Sequence, residues 1–330
     1  MSALLDIRGL RTAFTGEGGT FNAVDGVSLA LAEGRTLGLV GESGCGKSVT
    51  ALSIMGLVAS PPGRIAAGEI VFEGRDLLRL PAARMREIRG DRIAMIFQEP
   101  MTSLNPAFTI GAQIVEGILR HRPIGRAAAR RQAIEMLGRV RIPSPAQRFH
   151  EYPHKLSGGM RQRAMIAMAL ALQPRLLIAD EPTTALDVTI QAQILELMRE
   201  LRDETGTAII LITHDLGVVA ELAQEVAVMY SGRIVERASV GDLFARPQHP
   251  YTIGLLGCIP RLDVEQSRLP AIEGQVPDPF APPPGCRFTP RCPFATDRCR
   301  AAEPPLAEVT EGHFARCWYA PLEDHAVGLP

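Results

Sequence analysis

The sequence predicts an α/β fold, and three observations carry that prediction. An apolar run from Thr36 to Val40 enters a glycine-rich turn and is followed by a helical pattern from Val49 to Leu57. Two later apolar runs, Leu176 to Ala179 and Ala208 to Ile212, each end in polar residues. An amphipathic helical pattern, Ile190 to Leu201, lies between them. Buried parallel strands have this character, and their carboxyl ends carry the functional side chains of an α/β sheet.

Composition bounds the function before any motif is considered. The 330 residues suffice for one large domain or two to three smaller ones. A net charge of −1, from 35 basic and 36 acidic residues, argues against nucleic acid as a partner and against a polybasic membrane anchor. Asp6 and Arg8 interrupt the start of the chain, so we expect no signal peptide. The longest apolar run, Ala164 to Leu172, is too short to span a bilayer, so we expect a cytosolic chain.

The segment from Gly41 to Ser48 matches a phosphate-binding loop. It reads G-E-S-G-C-G-K-S, which fits G-x-x-x-x-G-K-S, between a predicted strand and a predicted helix. Its glycines let backbone N–H groups close around phosphate oxygens, and the following helix adds its N-terminal donors. Lys47 would reach the β- and γ-phosphates, and Ser48 would ligate Mg²⁺. The predicted ATP-contacting residues are Phe14, Gly41, Glu42, Ser43, Gly44, Cys45, Gly46, Lys47, Ser48 and Val49, with Cys45 interpreted as a small spacer rather than a redox switch.

Polar residues at three strand ends are candidates for the chemistry. Gln98 closes a short apolar run and could touch Mg²⁺ and the attacking water, although an ordinary strand-end glutamine is the alternative. Asp180 and Glu181 close the run from Leu176, which is the Walker B arrangement. Asp180 would hold Mg²⁺ through water, and Glu181 would polarise the attacking water. His214 ends the next buried strand, a position where α/β folds keep functional groups.

Other segments complete the pattern. Ser157, Gly158, Gly159 and Met160 open a helical run from Arg161 to Leu172, which makes a second anion site at a helix N-terminus. Asp187 follows Ala185-Leu186, just after the Walker B strand.

Near the N-terminus, strands are predicted over Leu4 to Phe14 and, as a strand pair, over Phe21 to Leu31. Phe14 or Phe21 could stack on an adenine base, or could be core aromatics. The stretch from Ile110 to Val140 reads as helical.

Four cysteines lie in or just after a proline-rich stretch, Pro277 to Pro305. Cys286, Cys292, Cys299 and Cys317 are spaced C-x5-C-x6-C-x17-C, which suggests a tetrathiolate metal site in an irregular segment. Two disulfides or four free thiols are the alternatives. Cys258 stands apart in an apolar stretch and is interpreted as a small buried hydrophobe.

The order of these segments, with Leu156-Ser157-Gly158-Gly159-Met160 before Leu176-Leu177-Ile178-Ala179-Asp180-Glu181-Pro182, resembles the nucleotide-binding subunits of ATP-binding cassette (ABC) transporters over residues 4 to 245. In that family two subunits sandwich two ATP molecules. The resemblance implies that Ser157, Gly158 and Gly159 contact the γ-phosphate held by the opposite subunit and that Asp187 crosses the interface. It also implies that Gln98 senses Mg²⁺, that Glu181 is the general base and that His214 contacts the γ-phosphate. Met160 stands where the family often has glutamine. Because this position is next to the anion contacts and is not one of them, we expect little effect on ATP binding.

Two segments narrow the resemblance to the dipeptide/oligopeptide and nickel importers. They are Glu99 to Pro106 and the element from Gln248 to Thr252, which also fits a helix start after a proline. Similar cysteine-bearing tails in that subfamily are associated with a [4Fe–4S] cluster, which we favour over zinc.

The resemblance implies an ATPase that uses ATP and Mg²⁺ and lies on the cytoplasmic face of the inner membrane. Its expected partners are a sister ATPase subunit, two permeases and, indirectly, an extracytoplasmic substrate-binding protein. The expected organisation is a P-loop NTPase with a RecA-like core (residues 1–98 and 159–245) that includes an N-terminal antiparallel β region, a helical subdomain (99–158) and an irregular metal-binding extension (246–330).

Two function classes stay open beside a peptide importer: a nickel or other small-solute importer, and a soluble ABC ATPase. A soluble enzyme of DNA repair or translation is disfavoured because the chain shows neither a long coiled-coil insertion nor two cassettes in tandem. A regulatory ATPase whose cysteine tail senses metal is the other form of that class.

Overall fold

The computed structural model describes residues 3–98, 103–183, 187–259 and 271–324. Residues 99–102, which belong to the importer-like segment, and residues 184–186, which precede Asp187, lie outside this description. The chain divides into two compact units. The first comprises Met1–Leu4, Leu31–Thr36 and Arg79–Ile212, and the second comprises Leu5–Ala30, Leu37–Leu78 and Thr213–Pro330.

The described strands alternate with helices through the middle of the chain, as the apolar runs predict. The strands are β1 (Leu5–Gly16), β2 (Gly19–Leu31), β3 (Thr36–Val40), β4 (Gly63–Phe72), β5 (Arg75–Asp76), β6 (Ile93–Ile96), β7 (Leu176–Asp180), β8 (Ala208–Thr213), β9 (Glu225–Tyr230), β10 (Arg233–Ser239), β11 (Ala307–Thr310) and β12 (His313–Ala315).

The described α-helices vary from one turn to five. They are α1 (Lys47–Met55), α2 (Ala82–Ile88), α3 (Ile110–His121), α4 (Arg126–Arg139), α5 (Pro145–Arg148), α6 (Gly158–Leu170), α7 (Val188–Thr205), α8 (Leu216–Leu222), α9 (Val240–Ala245), α10 (Pro250–Gly257) and α11 (Asp297–Ala301). Among the described residues, none of these helices is long and apolar enough to cross a membrane.

In the first unit, β6, β7 and β8 pair in parallel, with β7 in the middle. Every residue of β7 is buried, because a central parallel strand has a neighbour on each edge and cover on both faces. This strand carries Asp180 at its carboxyl end, as the Walker B pattern predicts.

In the second unit, β3 pairs in parallel with β9, and β9, β10, β12 and β11 continue antiparallel from it. A separate four-stranded sheet has the order β2-β1-β4-β5, with β4 antiparallel to β1 and to β5. The predicted α/β class and the N-terminal antiparallel region are therefore confirmed.

One local prediction is wrong in detail, because the predicted strand pair between Phe21 and Leu31 is one continuous strand, β2. The prediction that Ile110 to Val140 is helical is confirmed: the stretch forms two helices, α3 and α4, and the break between them contains Pro123. A proline lacks the N–H that a helix interior needs, which explains the break.

Candidate nucleotide-binding site

The phosphate loop has the backbone shape that its glycines predict. Gly41 and Gly46 have φ of 149° and 110°, and α1 begins directly after Gly46. A Cβ on Gly41 would lie 2.1 Å from the carbonyl oxygen of Met229, and one on Gly46 would lie 2.3 Å from that of Ala23. Neither position tolerates a side chain, so both glycines are required by packing as well as by conformation.

Lys47 is folded back onto the loop that precedes it. Its ammonium donates to the carbonyl oxygens of Gly41 at 2.7 Å and Glu42 at 3.0 Å. The thiol of Cys45 lies 3.7 Å from the same ammonium and is buried. Burial raises the pKa of the Cys45 thiol, although Lys47 opposes that effect. A protonated, enclosed thiol fits the interpretation of Cys45 as a small spacer.

An aromatic group and a cavity lie beside the loop in the second unit. Phe14 stacks on Phe21 with ring centroids 6.0 Å apart, and Phe280 meets Phe21 edge-on at 4.9 Å. A cavity of about 400 Å³ is lined by Phe21, Phe280, Gly44 of the phosphate loop and Arg287, among others. Its volume is in the range of small-molecule sites. Phe280 therefore joins Phe14 and Phe21 as a candidate contact for a base.

Two side chains from the C-terminal extension hold Glu42, and sequence analysis missed both. The Tyr251 hydroxyl accepts the Glu42 N–H at 2.8 Å. The Arg291 guanidinium donates to both carboxylate oxygens of Glu42, at 2.6 and 2.9 Å. Tyr251 belongs to the Gln248 to Thr252 element, which the sequence offered only as a family marker and a helix start. The helix start is confirmed by α10.

The buried histidine of that element supports the same local structure. His249 Nδ1 accepts the Tyr251 N–H at 3.1 Å and so caps α10. Burial lowers the pKa of His249 to about 3, which keeps the ring neutral and able to accept. The cap fixes the first turn of α10 and with it the place of Tyr251.

In the first unit, the structure brings Gln98 and Glu181 together. Gln98 Nε2 donates to Glu181 Oε2 at 3.0 Å, although 83 residues separate them. Glu181 has φ of 49°, an unusual value for a residue with a side chain, and its N–H donates to the Ile212 carbonyl at 2.8 Å. Asp180, one residue earlier, is buried. Backbone strain at a polar residue is typical of functional positions, which agrees with the predicted role of Glu181.

The Ser-Gly-Gly segment starts helix α6. Ser157 is its N-cap, and the Ser157 hydroxyl accepts the Met160 N–H at 3.4 Å. A Cβ on Gly158 would meet nothing within 4 Å, and one on Gly159 would meet only Ile190 at 3.9 Å. Neither glycine has a positive φ among the described residues. Unlike Gly41 and Gly46, these two glycines have no clash with the described residues that would require them to lack a side chain.

Asp187 and His214 are both exposed. Asp187 caps α7 by accepting the Ile190 N–H at 2.9 Å. Val188, which follows it, has 83% of its surface exposed, an unusual state for a valine. His214 follows β8 directly, and Asp215 caps α8 by accepting the Gly217 N–H at 2.8 Å. The structure places both residues where the sequence predicts, and their roles stay predictions.

The four cysteines of the extension come together around one cavity. Cys286, Cys292, Cys299 and Cys317 line a space of about 20 Å³, with Phe288, Phe294, Trp318 and other residues. All six cysteines of the chain are free thiols, so the two-disulfide alternative is not what the structure contains. Cys258 is only half buried, which corrects its interpretation as a buried residue.

Burial raises the pKa of the Cys286 thiol, and it raises the pKa of Cys292 and of Cys317 to about 11, with neighbouring cysteines adding to the effect. The described residues contain no group of three or more His, Cys, Asp or Glu side chains placed to hold a metal ion. The cysteines therefore share a cavity without forming a metal-ligand set, and the predicted metal site stays a prediction.

Comparisons with known proteins show the family to which the chain belongs. Residues 24–184 match the ABC transporter family, and residues 235–299 match the C-terminal region of oligopeptide/dipeptide transporters. A probable peptide ABC transporter ATP-binding protein of Sinorhizobium fredii is 58% identical over 96% of this chain and 94% of its own length. A dipeptide transport ATP-binding protein of Bacillus subtilis is 52% identical over 99% of this chain and 98% of its own length.

Solved structures agree as well. A dimeric ATP-binding cassette in a post-hydrolysis state, bound to ADP and Pi, matches with a TM-score of 0.66 and 25% identity. That match covers 72% of this chain and 98% of the other. The chain belongs to the ATP-hydrolysing subunits of the peptide ABC transporter family.

Proposed function

We propose that this chain hydrolyses ATP to power the import of di- or oligopeptides through two partner permeases. The observation that carries the catalytic part is the pairing of Gln98 with a conformationally strained Glu181. The cargo is proposed from the relatives, whose names specify peptide and dipeptide transport. An extracytoplasmic binding protein would deliver the peptide, and the chain would lie on the cytoplasmic face of the inner membrane through its permeases.

The proposed division of labour follows the chemistry of each side chain. The phosphate-loop N–H groups and Lys47 bind the phosphates, and a base stacks on the Phe14 and Phe21 pair. Mg²⁺, held through Ser48, Gln98 and Asp180, would neutralise charge on the phosphates. Glu181 accepts a proton from the attacking water, and Gln98 orients its carboxylate. His214 binds the γ-phosphate.

We propose that a second cassette, a sister subunit, completes the site. Gly158 and Gly159 support this, because packing against the residues that the structure describes does not require either glycine. A close approach from outside explains the missing side chains, and the N-terminus of α6 offers free N–H donors there. Val188 beside Asp187 also gains from burial that a partner surface would provide.

We propose that residues 99–158 form the helical subdomain that contacts the permeases. Within the first unit, three large aromatic side chains near or in this segment are exposed: Phe97, Phe108 and Tyr152. Exposed aromatic residues are enriched at protein interfaces because they bury a large area at low entropic cost. In the proposed domain organisation, the nucleotide-binding core comprises residues 1–98 and 159–245, and the extension comprises residues 246–330.

The cargo is tested by uptake in cells that lack the gene. Cells complemented with the wild-type chain are expected to take up a labelled dipeptide, and cells with Glu181→Gln are not. Radioactive nickel uptake is measured in parallel and is expected to be the same in both strains. Nickel uptake that depends on Glu181, without dipeptide uptake, would replace the peptide assignment with the nickel one.

We propose further that the four cysteines of the extension hold a [4Fe–4S] cluster. Support comes from the cavity that the four cysteines share. Zinc held by the same four thiolates is the alternative. The cluster would cross-link an irregular segment that has little core of its own.

Replacing Cys299 and Cys317 by serine is expected to unfold the extension and to leave the remaining chain folded. Anaerobically purified wild type should contain about four irons per chain, and the double variant close to none. Limited proteolysis should cut the variant within the extension and leave the remaining chain intact. An extension that resists protease without iron or zinc would contradict the cluster.

A further inference from the structure

We infer that Arg291 is a positioning residue for the phosphate loop, and that it couples the cysteine cavity to nucleotide binding. The inference rests on the proposed nucleotide site and adds a residue that its motifs do not contain. Arg291 lies 249 residues from its partner Glu42, in the extension rather than in the cassette core.

Arg291 is held in one orientation. Its side chain is 3% exposed, and it donates to the carbonyl oxygens of Ile272 at 3.1 Å and Glu273 at 3.0 Å. Its guanidinium lies over the rings of Tyr230 and Phe288, 5.8 and 6.0 Å from their centroids. A planar guanidinium with this many partners cannot follow a moving carboxylate, so it fixes the carboxylate that it binds.

The cysteines determine where Arg291 stands. A single helical turn, Thr289–Arg291, carries it between Cys286 and Cys292. The Thr289 N–H donates to the Cys286 carbonyl at 3.0 Å, and the Arg291 N–H donates to the Phe288 carbonyl at 2.9 Å. Phe288 lines the cysteine cavity itself. A change in the packing of the cysteines therefore displaces Arg291.

Glu42 transmits that displacement to the phosphate-binding atoms. Its carboxylate is held by Arg291, its N–H by Tyr251, and its carbonyl oxygen accepts from Lys47. Glu42 is thus fixed from the extension on one side and bonded to the phosphate-binding lysine on the other. Releasing its carboxylate loosens the loop whose N–H groups must converge on phosphate, and preorganised donors lose affinity when they are loosened.

The test measures the dissociation constants of MgATP and of magnesium tripolyphosphate on the full chain, with iron content and thermal unfolding recorded for each variant. Arg291→Gln is expected to raise both dissociation constants about fivefold or more, which is the lower range of coupling between sites. Arg291→Lys keeps the charge but loses the bidentate contact, so its dissociation constants are expected to lie between those of the wild type and those of Arg291→Gln. Arg300→Gln is the matched control, because Arg300 pairs with Asp297 on the surface of the same extension.

A double-mutant cycle tests the link to the cavity. Cys292→Ser is expected to raise the dissociation constant of MgATP in the native background. In the Arg291→Gln background, the same substitution is expected to raise that constant by less than about twofold, since the effects of contacting groups are non-additive. Equal effects in both backgrounds would overturn the coupling. Unchanged affinity in a folded Arg291→Gln chain would overturn the positioning role. If Arg291→Gln does not fold, Glu42→Gln tests the same contact between Arg291 and Glu42 from its other side. A wild-type chain that binds no MgATP would instead refute the proposed nucleotide site.

Discussion

Glu181→Gln is expected to stop ATP turnover and to leave ATP binding intact. The amide is the same shape as the carboxylate and keeps an oxygen that can accept from Gln98 Nε2, which now lies 3.0 Å away. It cannot accept a proton from water at neutral pH. General-base catalysis contributes about 10²- to 10⁴-fold, so turnover should fall by roughly that factor.

Steady-state phosphate release and MgATP affinity, measured on the same preparation, separate the two effects. Glu196→Gln is the control, because Glu196 pairs with Arg199 on the surface of α7 and has no proposed role. Robust hydrolysis by Glu181→Gln would refute the assignment of the base. A parallel loss of affinity would mean that the substitution disturbs the site rather than the chemistry.

Lys47→Ala is expected to remove most of the affinity for nucleotide. The ammonium is buried and is the cation that the phosphate loop supplies, in addition to backbone N–H groups. Truncating one partner of a buried charged pair costs about 2–5 kcal/mol, which corresponds to roughly a 30-fold or larger rise in the dissociation constant.

Lys155→Ala is a natural control, since Lys155 is the other lysine in the sequence and is exposed. Lys47 also bonds the carbonyl oxygens of Gly41 and Glu42, so thermal unfolding is recorded to separate lost binding from a lost fold. Unchanged MgATP affinity in a folded Lys47→Ala chain would contradict the phosphate-loop assignment.

The local parts of the site were predictable from sequence because each is contained in one strand, turn and helix. The phosphate loop needs glycine at Gly41 and Gly46 for reasons of local backbone shape, and its motif records them. Asp180 ends a fully buried strand and Glu181 follows it directly, and an apolar run in the sequence predicts that strand. The strained φ of Glu181 could not be predicted, because it depends on a backbone bond to the neighbouring strand.

The contacts of the extension were not predictable because they join distant segments and follow no periodic pattern. Tyr251 and Arg291 lie 209 and 249 residues from Glu42. The extension around Arg291 is mostly irregular, so neither helical nor strand periodicity says which side chains face the core. Cysteine spacing did indicate that four thiols share one place, and that part is what the structure shows.

The most direct test of the account is the ATPase rate of the transporter reconstituted in proteoliposomes with its permeases and its sister subunit. The account predicts that a peptide-loaded binding protein accelerates hydrolysis and drives uptake of the labelled peptide. Both effects should vanish together with Glu181→Gln in this chain. A rate that ignores the loaded binding protein, or peptide uptake that survives the substitution, would contradict the claim that this chain's hydrolysis powers peptide import.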